Sequence, residues 1–145
     1  MISRLMNNDD IPMVARIEKE CFSSPWSEDE IKATFSREDS IYCVVEKDGA
    51  VIGYAAFFFV LDEGNIINIG VLPEFRKQKV GERLLEILIE HAKIRGVERL
   101  FLEVRESNKA AIGLYEKFGF EKEGTRKNFY AEPVENGIVM VSTIC

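Results

Sequence analysis

The sequence lacks several things that would each point to a different kind of protein. It has only three cysteines in 145 residues, Cys21, Cys43 and Cys145. They are odd in number and widely spaced, which excludes a disulfide framework and a cysteine-based metal motif, so no metal is expected. No apolar run approaches the ~20 residues needed to span a bilayer. The strongest candidate, Phe57-Phe58-Phe59-Val60-Leu61, is short and stops at Asp62-Glu63. The N-terminus has no basic-then-apolar leader. Together with unpaired thiols, this leads to the expectation of a reduced, cytoplasmic setting and no membrane partner. Positive charge is also wanting. The net charge is -6 and the basic residues form no stripe, which argues against nucleic acid as the main partner. An acidic surface favours a cationic partner instead, such as an amine or a basic peptide. Neither a Walker sequence nor G-x-G-x-x-G is present.

What is there is an ordinary globular composition, 46% hydrophobic and 30% charged, with ten Phe. The length suits one domain, residues 1–145, around one core. Cys43 sits in the run Ile41-Tyr42-Cys43-Val44-Val45, where a buried and inert thiol is expected.

A short strand is expected at 3–6. Asn8-Asp9-Asp10 then caps a helix with Pro12 in its first turn and Ile11, Val14, Ile17 and Phe22 at helical spacing. Ser27-x-x-Glu30 is a capping box for a second helix reaching Phe35. Asp48-Gly49 joins strands 41–47 and 51–61 as a hairpin. A strand at 65–72 ends at Pro73. Val80, Leu84, Leu88 and Ala92 recur every four residues in a helix over 80–94, stopped at Gly96. Strand 99–105, a helix over 107–118 and strands near 120–129 and 137–144 follow. Strand 65–72, helix 80–94 and strand 99–105 form a βαβ unit whose strands run parallel. The fold class is therefore α/β, a single mixed sheet with helices on both faces.

Three features carry candidate chemistry. Alternation in strand 99–105 places Phe101, Glu103 and Arg105 on one face and Leu100, Leu102 and Val104 on the other. Glu103 is thus held near the C-terminal end of a strand, where open α/β sheets place ligands. The alternative is a surface carboxylate neutralised by Arg105. Tyr115 lies on the following helix, either as a core ring with a wet hydroxyl or as a proton donor. Arg76 to Gly81 forms a basic strand-to-helix turn that is either an anion site at a helix N-terminus or a turn of no special function.

These three features occur in one order. The run Asn68-Ile69-Gly70-Val71-x-Pro73-x-Phe75-Arg76-x-Gln78-x-Val80-Gly81-x-x-Leu84-Leu85 resembles the acetyl-CoA motif of the GCN5-related N-acetyltransferase (GNAT) superfamily. Leu102-Glu103-Val104-Arg105-x-Ser107-Asn108-x-Ala110-Ala111-Ile112-x-Leu114-Tyr115-x-x-x-Gly119-Phe120 resembles its second half. Pro25-Trp26-Ser27, Val60-Leu61-Asp62-Glu63 and Arg126-Lys127-Asn128-Phe129-Tyr130 look like the RimI-like group, the ribosomal-protein-alanine N-acetyltransferases. The resemblance covers nearly the whole chain.

It implies a mixed, mostly antiparallel GNAT sheet around a central βαβ acetyl-CoA unit. It also implies acetyl-CoA held along Ile69, Gly70 and Val71 and over Arg76, Lys77, Gln78, Lys79, Val80, Gly81 and Glu82, with Asn108 bonding it from the next helix. A bulge near Asn68-Ile69 would splay the strand, and the Val71 N–H would bind the thioester carbonyl. Glu103 would be the base and Tyr115 the acid in a direct attack by an amine. An α-amine with a pKa of about 7.7–8.0 needs little help to deprotonate, whereas a Lys side chain needs about 3.5 kcal/mol more. Transfer of a proton from an ordinary Tyr to a thiolate is uphill by about 2 kcal/mol. The implied acceptor is a protein N-terminus, that of small-subunit ribosomal protein eighteen, and the implied state a monomer. A small amine, a Lys side chain, or a CoA-binding module without transfer are the alternatives. Two residues depart from the pattern. Lys79 stands where the family usually has Gly, so its Cβ is expected either to crowd the pyrophosphate or strain a backbone chosen for Gly, weakening binding, or else its ammonium to swing out onto a phosphate. Ala131 replaces the usual residue after Phe129-Tyr130, beside the acceptor groove.

Overall fold

The computed structural model describes residues 1–144. Its strands are β1 (Ile2–Leu5), β2 (Ser40–Lys47), β3 (Ala50–Val60), β4 (Glu63–Val71), β5 (Arg99–Arg105), β6 (Glu121–Ala131) and β7 (Val134–Thr143). Its helices are α1 (Ile11–Cys21), α2 (Glu28–Phe35), α3 (Val80–Ile94) and α4 (Lys109–Lys117). One sheet of seven strands runs in the order β1-β2-β3-β4-β5-β7-β6. Every pairing is antiparallel except β4 with β5, so the expected mixed, mostly antiparallel sheet is present.

Local chemistry explains most boundaries. Asp48 and Gly49 both take positive φ, 52° and 82°, which is the backbone a two-residue hairpin needs to match strand twist. Ser27 caps α2, its side chain accepting from the Glu30 N–H while Glu30 reaches back to the Ser27 N–H. The opening differs from expectation. Asn7, not Asn8, is the cap, and a 3₁₀ turn at Asn8–Asp10 precedes α1, because Asp10 closes a reciprocal box with the Asn7 N–H. The first strand also lies one residue earlier than 3–6. Helix α4 starts only at Lys109, since the Asn108 side chain takes the N-cap role and accepts from Ala111 N–H at 3.2 Å. Strands β6 and β7 are longer than expected, and their hairpin end extends past the last pairing with β5, Arg105↔Gly137.

The two faces are covered by different helices. Val80, Leu84, Leu85 and Leu88 of α3 pack with Cys43, Phe57, Leu100, Leu102 and Val104, and α4 leans on the same cluster through Ala111, Leu114 and Tyr115. Val14 and Ile17 of α1 and Ile31 of α2 pack with Tyr42, Val44, Tyr54 and Ala56 on the other face. The alternation expected in β5 is thereby confirmed. Cys43 is fully buried, and burial pushes its thiol up to about 12.

The sheet is interrupted at its centre. β4 and β5 pair only at Glu63↔Arg99, Gly64↔Leu100 and Asn65↔Phe101. Just beyond, Ala56 opposes Asn68 while Phe57 opposes Ile66, leaving Ile67 as the extra residue of a bulge. The bulge was expected near Asn68-Ile69 and falls at Ile67. A bulge bends its strand and raises local twist, so β4 turns away from β5 and the sheet parts into a V.

Candidate active site

The V opens into a cleft of about 670 Å³ lined by Ile69, Gly70 and Val71 of β4, by Arg76, Lys77 and Lys79, by Val80, Gly81 and Glu82 of α3, and by Asn108, Leu114 and Tyr115. Ten of the eleven residues expected to bind the cofactor meet there. Gln78 does not: its Oε1 accepts from Lys47 Nζ at 3.1 Å, away from the cleft. Helix α3 has no side-chain cap. Its first internal bond runs from Arg83 N–H to the Lys79 carbonyl at 3.2 Å. The Val80, Gly81 and Glu82 N–H groups therefore point out of the helix, at the positive end of its dipole. Glu82, the acid nearest this end, is engaged by Lys117. Lys79 holds φ 63° and ψ 24°, and Lys77 φ 65°. Both are left-handed conformations that cost an L-residue energy, so the expected strain at Lys79 is real.

Leu72 N–H donates to the Ile52 carbonyl at 2.9 Å. Hydrogen-bonding sides alternate along a strand, so the Val71 N–H faces the side that β5 has vacated. The Val71 carbonyl accepts from Cys21 Sγ at 3.2 Å and Arg76 Nε at 3.3 Å. Asn108 spends its Oδ1 on the helix cap, which leaves its amide NH₂ as a donor.

A second groove, about 610 Å³, lies across the α1–α2 connection. It is walled by Phe22, Ser23, Ser24 and Trp26 on one side, by Phe129 to Pro133 on the other, and floored by Ile67, Asn68 and Arg105. Cys21 and Phe22 line both spaces, so groove and cleft adjoin. The wall from Phe129 exists because β6 bulges by several residues between Arg126↔Gly137 and Tyr130↔Glu135. Asn128 turns at φ 54°, and its N–H is held by Asn136 Oδ1 at 3.0 Å. The Phe129 ring lies over Gly137, where a Cβ would come within 3.2 Å of it.

Glu103 lies on the face opposite Leu102 and Val104, as expected. Its Oε1 is 3.3 Å from Arg126 Nε. Its Oε2 is buried with no hydrogen-bond partner among the described residues. Such a group needs a hydrogen-bond donor from outside the protein's own side chains, a water or a ligand. Tyr115 packs on the α3 side, its ring centroid 5.9 Å from Phe120. Burial, with Tyr130 nearby, pushes its phenol well above the ordinary tyrosine value. That corrects the near-ordinary phenol assumed from sequence: desolvation keeps the proton on Tyr115 more firmly. No hydrogen bond joins Glu103 and Tyr115 among the described residues, and Glu103 lines neither cavity. Tyr130 is close to both. Its own phenol is raised first by desolvation and then by the Glu103 charge, and its ring lies 4.4 Å under the Arg105 guanidinium.

Arg105 does not neutralise Glu103. It donates to the Glu132 and Pro133 carbonyls, both at 2.9 Å, and reaches Glu135 at 3.3 Å, bracing the far wall. Sequence reasoning did not place Cys21, Phe22 or Glu18 at the site. Glu18 carried a signal, since it falls four residues after Val14 and seven after Ile11, on the apolar stripe of α1. Among the described residues no cluster of His, Cys, Asp and Glu could hold a metal ion. No helix is long and apolar enough to cross a membrane.

Residues 11–120 match the model of the acetyltransferase (GNAT) family. A Bacillus subtilis protein is 41% identical over 142 residues, covering 97% of this chain and 94% of its own. The ribosomal protein bS18-alanine N-acetyltransferase of Escherichia coli strain K12 is 37% identical over 141 residues, 96% of this chain and 95% of its own. A crystal structure of the ribosomal-protein-S18-alanine N-acetyltransferase from Escherichia coli superposes with a TM-score of 0.90 at 35% identity, covering 99% of this chain and 93% of that one.

Proposed function

The chain belongs to the GNAT family of acetyltransferases and is an N-acetyltransferase, and from that premise we propose that it acetylates the N-terminal α-amine of a protein, with the N-terminal alanine of ribosomal protein bS18 as its acceptor, in the cytoplasm. The substrate is supported by relatives of that name at 37–38% identity over nearly the full length. The observation that carries the chemistry is the parting of β4 and β5 beside a carboxylate with an orphaned oxygen.

The cleft fits acetyl-CoA. Outward N–H groups at the α3 N-terminus, with Arg76, Lys77 and Lys79 around them, suit a pyrophosphate. Ile69, Val71, Ala111 and Leu114 give apolar walls for an extended chain. Acetyl-CoA supplies the acetyl group as an activated thioester. The Val71 N–H donates to the thioester carbonyl, where negative charge develops. Asn108 offers its amide NH₂. Glu103 Oε2 accepts a proton from the ammonium or amine of the acceptor, directly or through water. Tyr115 holds its proton until the thiolate leaves and then donates it. The raised phenol makes this transfer more uphill than for an ordinary tyrosine, so the donation depends on the charge that builds on sulfur. The acceptor chain lies in the groove between Phe22–Trp26 and Phe129–Pro133.

The test is a synthetic peptide with a free N-terminal Ala and one internal Lys, incubated with acetyl-CoA and read by mass spectrometry. Acetylation at the Ala amine, lost in Glu103→Gln and Tyr115→Phe, supports the reading. Labelling only at Lys, or binding of acetyl-CoA with no transfer, would sink it.

A further inference from the structure

One charged side chain of α1 is wholly enclosed. Glu18 is 0% exposed and has no cationic partner among the described residues: its carboxylate is met there only by neutral donors. Oε1 accepts from the Trp26 backbone N–H at 2.8 Å. Oε2 accepts from Asn68 Nδ2 at 3.1 Å and from the Tyr54 hydroxyl in a short contact. These donors come from three separate pieces of chain: the α1–α2 connection, β4 just past its bulge, and β3. Trp26 and Asn68 both line the second groove, one on its wall and one on its floor.

A buried carboxylate without a counter-charge is expensive, and an apolar side chain would fill this stripe of α1 at less cost. The need for it arises where β4 has left β5. From Ile66 onward β4 pairs with no strand on that side, and the end of α1 reaches it there, Cys21 Sγ donating to the Val71 carbonyl at 3.2 Å. On the sheet face, Ile17 lies so close that a Cβ on Gly70 would come within 2.8 Å of it. Hydrogen bonds to an ionised acceptor are stronger and more directional than neutral ones. One carboxylate thus sets the distance between the Trp26 wall and the Asn68 floor.

We propose that Glu18 is a positioning residue for the acceptor peptide: it ties the Phe22–Trp26 segment to the bulged part of β4 and so sets the width of the acceptor groove without touching substrate. This rests on the groove being the acceptor site, as proposed above. It predicts a split between substrates, because the acetyl-CoA cleft is lined mainly by the turn before α3, by α3, α4 and the far end of β4, none of which Glu18 bonds, and of the tethered segment only Phe22 reaches it.

The experiment uses Glu18→Met, close in size but unable to accept, and Glu18→Gln, which keeps one oxygen for the Trp26 N–H. In Glu18→Met the KM for an Ala-terminal peptide rises about tenfold or more, the loss expected for charge-assisted hydrogen bonds, while kcat at saturating peptide and the acetyl-CoA Kd stay within about twofold. Glu18→Gln recovers most of the loss. Trp26 is the only tryptophan in the chain, so acrylamide quenching of its fluorescence reads the segment in the free protein, with no substrate present. Quenching increases in Glu18→Met and is near wild type in Glu18→Gln. Should Glu18→Met not fold, Tyr54→Phe removes one donor and raises the peptide KM by about threefold to fivefold. Wild-type protein that transfers to the peptide, with quenching and peptide KM unmoved by these changes, overturns the role of Glu18 alone. Peptide KM and acetyl-CoA Kd rising in parallel also overturn it. Quenching that responds as stated while wild type leaves the peptide untouched overturns the acceptor assignment and keeps the tether.

Discussion

Replacing Lys79 by glycine separates two effects that the sequence could not. Lys79 already holds φ 63° and ψ 24° in the free protein, a conformation that costs an L-residue roughly 1–2 kcal/mol. Glycine relieves this, but it adds freedom to the unfolded chain worth roughly 0.4–1 kcal/mol. The net is a stabilisation of roughly 0.5–1 kcal/mol, or a rise in Tm of about 1.5–3 °C for a chain of this length. Affinity moves the other way. Because the backbone is in place before acetyl-CoA arrives, the strain belongs to folding and not to binding. What Lys79→Gly removes at the cleft is an ammonium, and an exposed ion pair contributes about 0.2–1 kcal/mol, so the acetyl-CoA Kd weakens by about 1.5-fold to fivefold. The loss fades in ~1 M salt, where the screening length is about 3 Å. Thermal melting and calorimetric titration at two salt concentrations read both parts. Tighter binding by Lys79→Gly, the outcome expected if the Cβ crowded the pyrophosphate, would refute the reasoning, as would an unchanged or lower Tm.

Further outcomes follow from the same geometry. Glu103→Gln lowers kcat by about 10²–10⁴-fold, the range for a general base, and leaves acetyl-CoA binding unchanged by calorimetry; equal loss of binding would point to a structural role. Tyr115→Phe lowers kcat with little change in either KM. The raised phenol also fixes the sign of a pH effect. Its contribution to stability is complete below about pH 10, the unfolded value, and is lost as pH rises toward the higher folded value; denaturant titrations above pH 10 should fall less steeply in Tyr115→Phe. Gly70→Ala forces Ile17 or β4 to move, because the new Cβ would meet Ile17 Cγ2 at 2.8 Å, and costs about 1–3 kcal/mol by chemical denaturation. Cys43, buried and pushed up to about 12, resists thiol reagents in the native protein while Cys21 on the groove reacts, as peptide mapping by mass spectrometry will show.

The sequence by itself determined most of the frame. Four-residue recurrence from Val80 to Ala92 located α3, alternation in 99–105 set Glu103 against the Leu102 face, and Asp48-Gly49 and Ser27-x-x-Glu30 placed a turn and a cap. These are local preferences, decided by neighbours a few residues apart. Lys79 at a position that wants glycine was legible too, although only the backbone angle assigned its strain to folding. Tertiary structure alone decided the rest. The insertion of β7 between β5 and β6 depends on which strands meet across the chain. The three-residue stretch over which β4 and β5 pair before parting depends on where a bulge relieves the sheet. Gln78 turning to Lys47, Arg105 bracing the Glu132-Pro133 wall instead of Glu103, and Tyr130 standing near both Glu103 and Tyr115 are contacts between residues far apart in sequence. Glu18 shows the boundary most plainly. Its place on an apolar stripe could be read from spacing, but the Trp26, Tyr54 and Asn68 donors that make its burial tolerable come together only when three distant segments pack, because hydrogen bonds of that kind are made by position in space and leave no period in the chain.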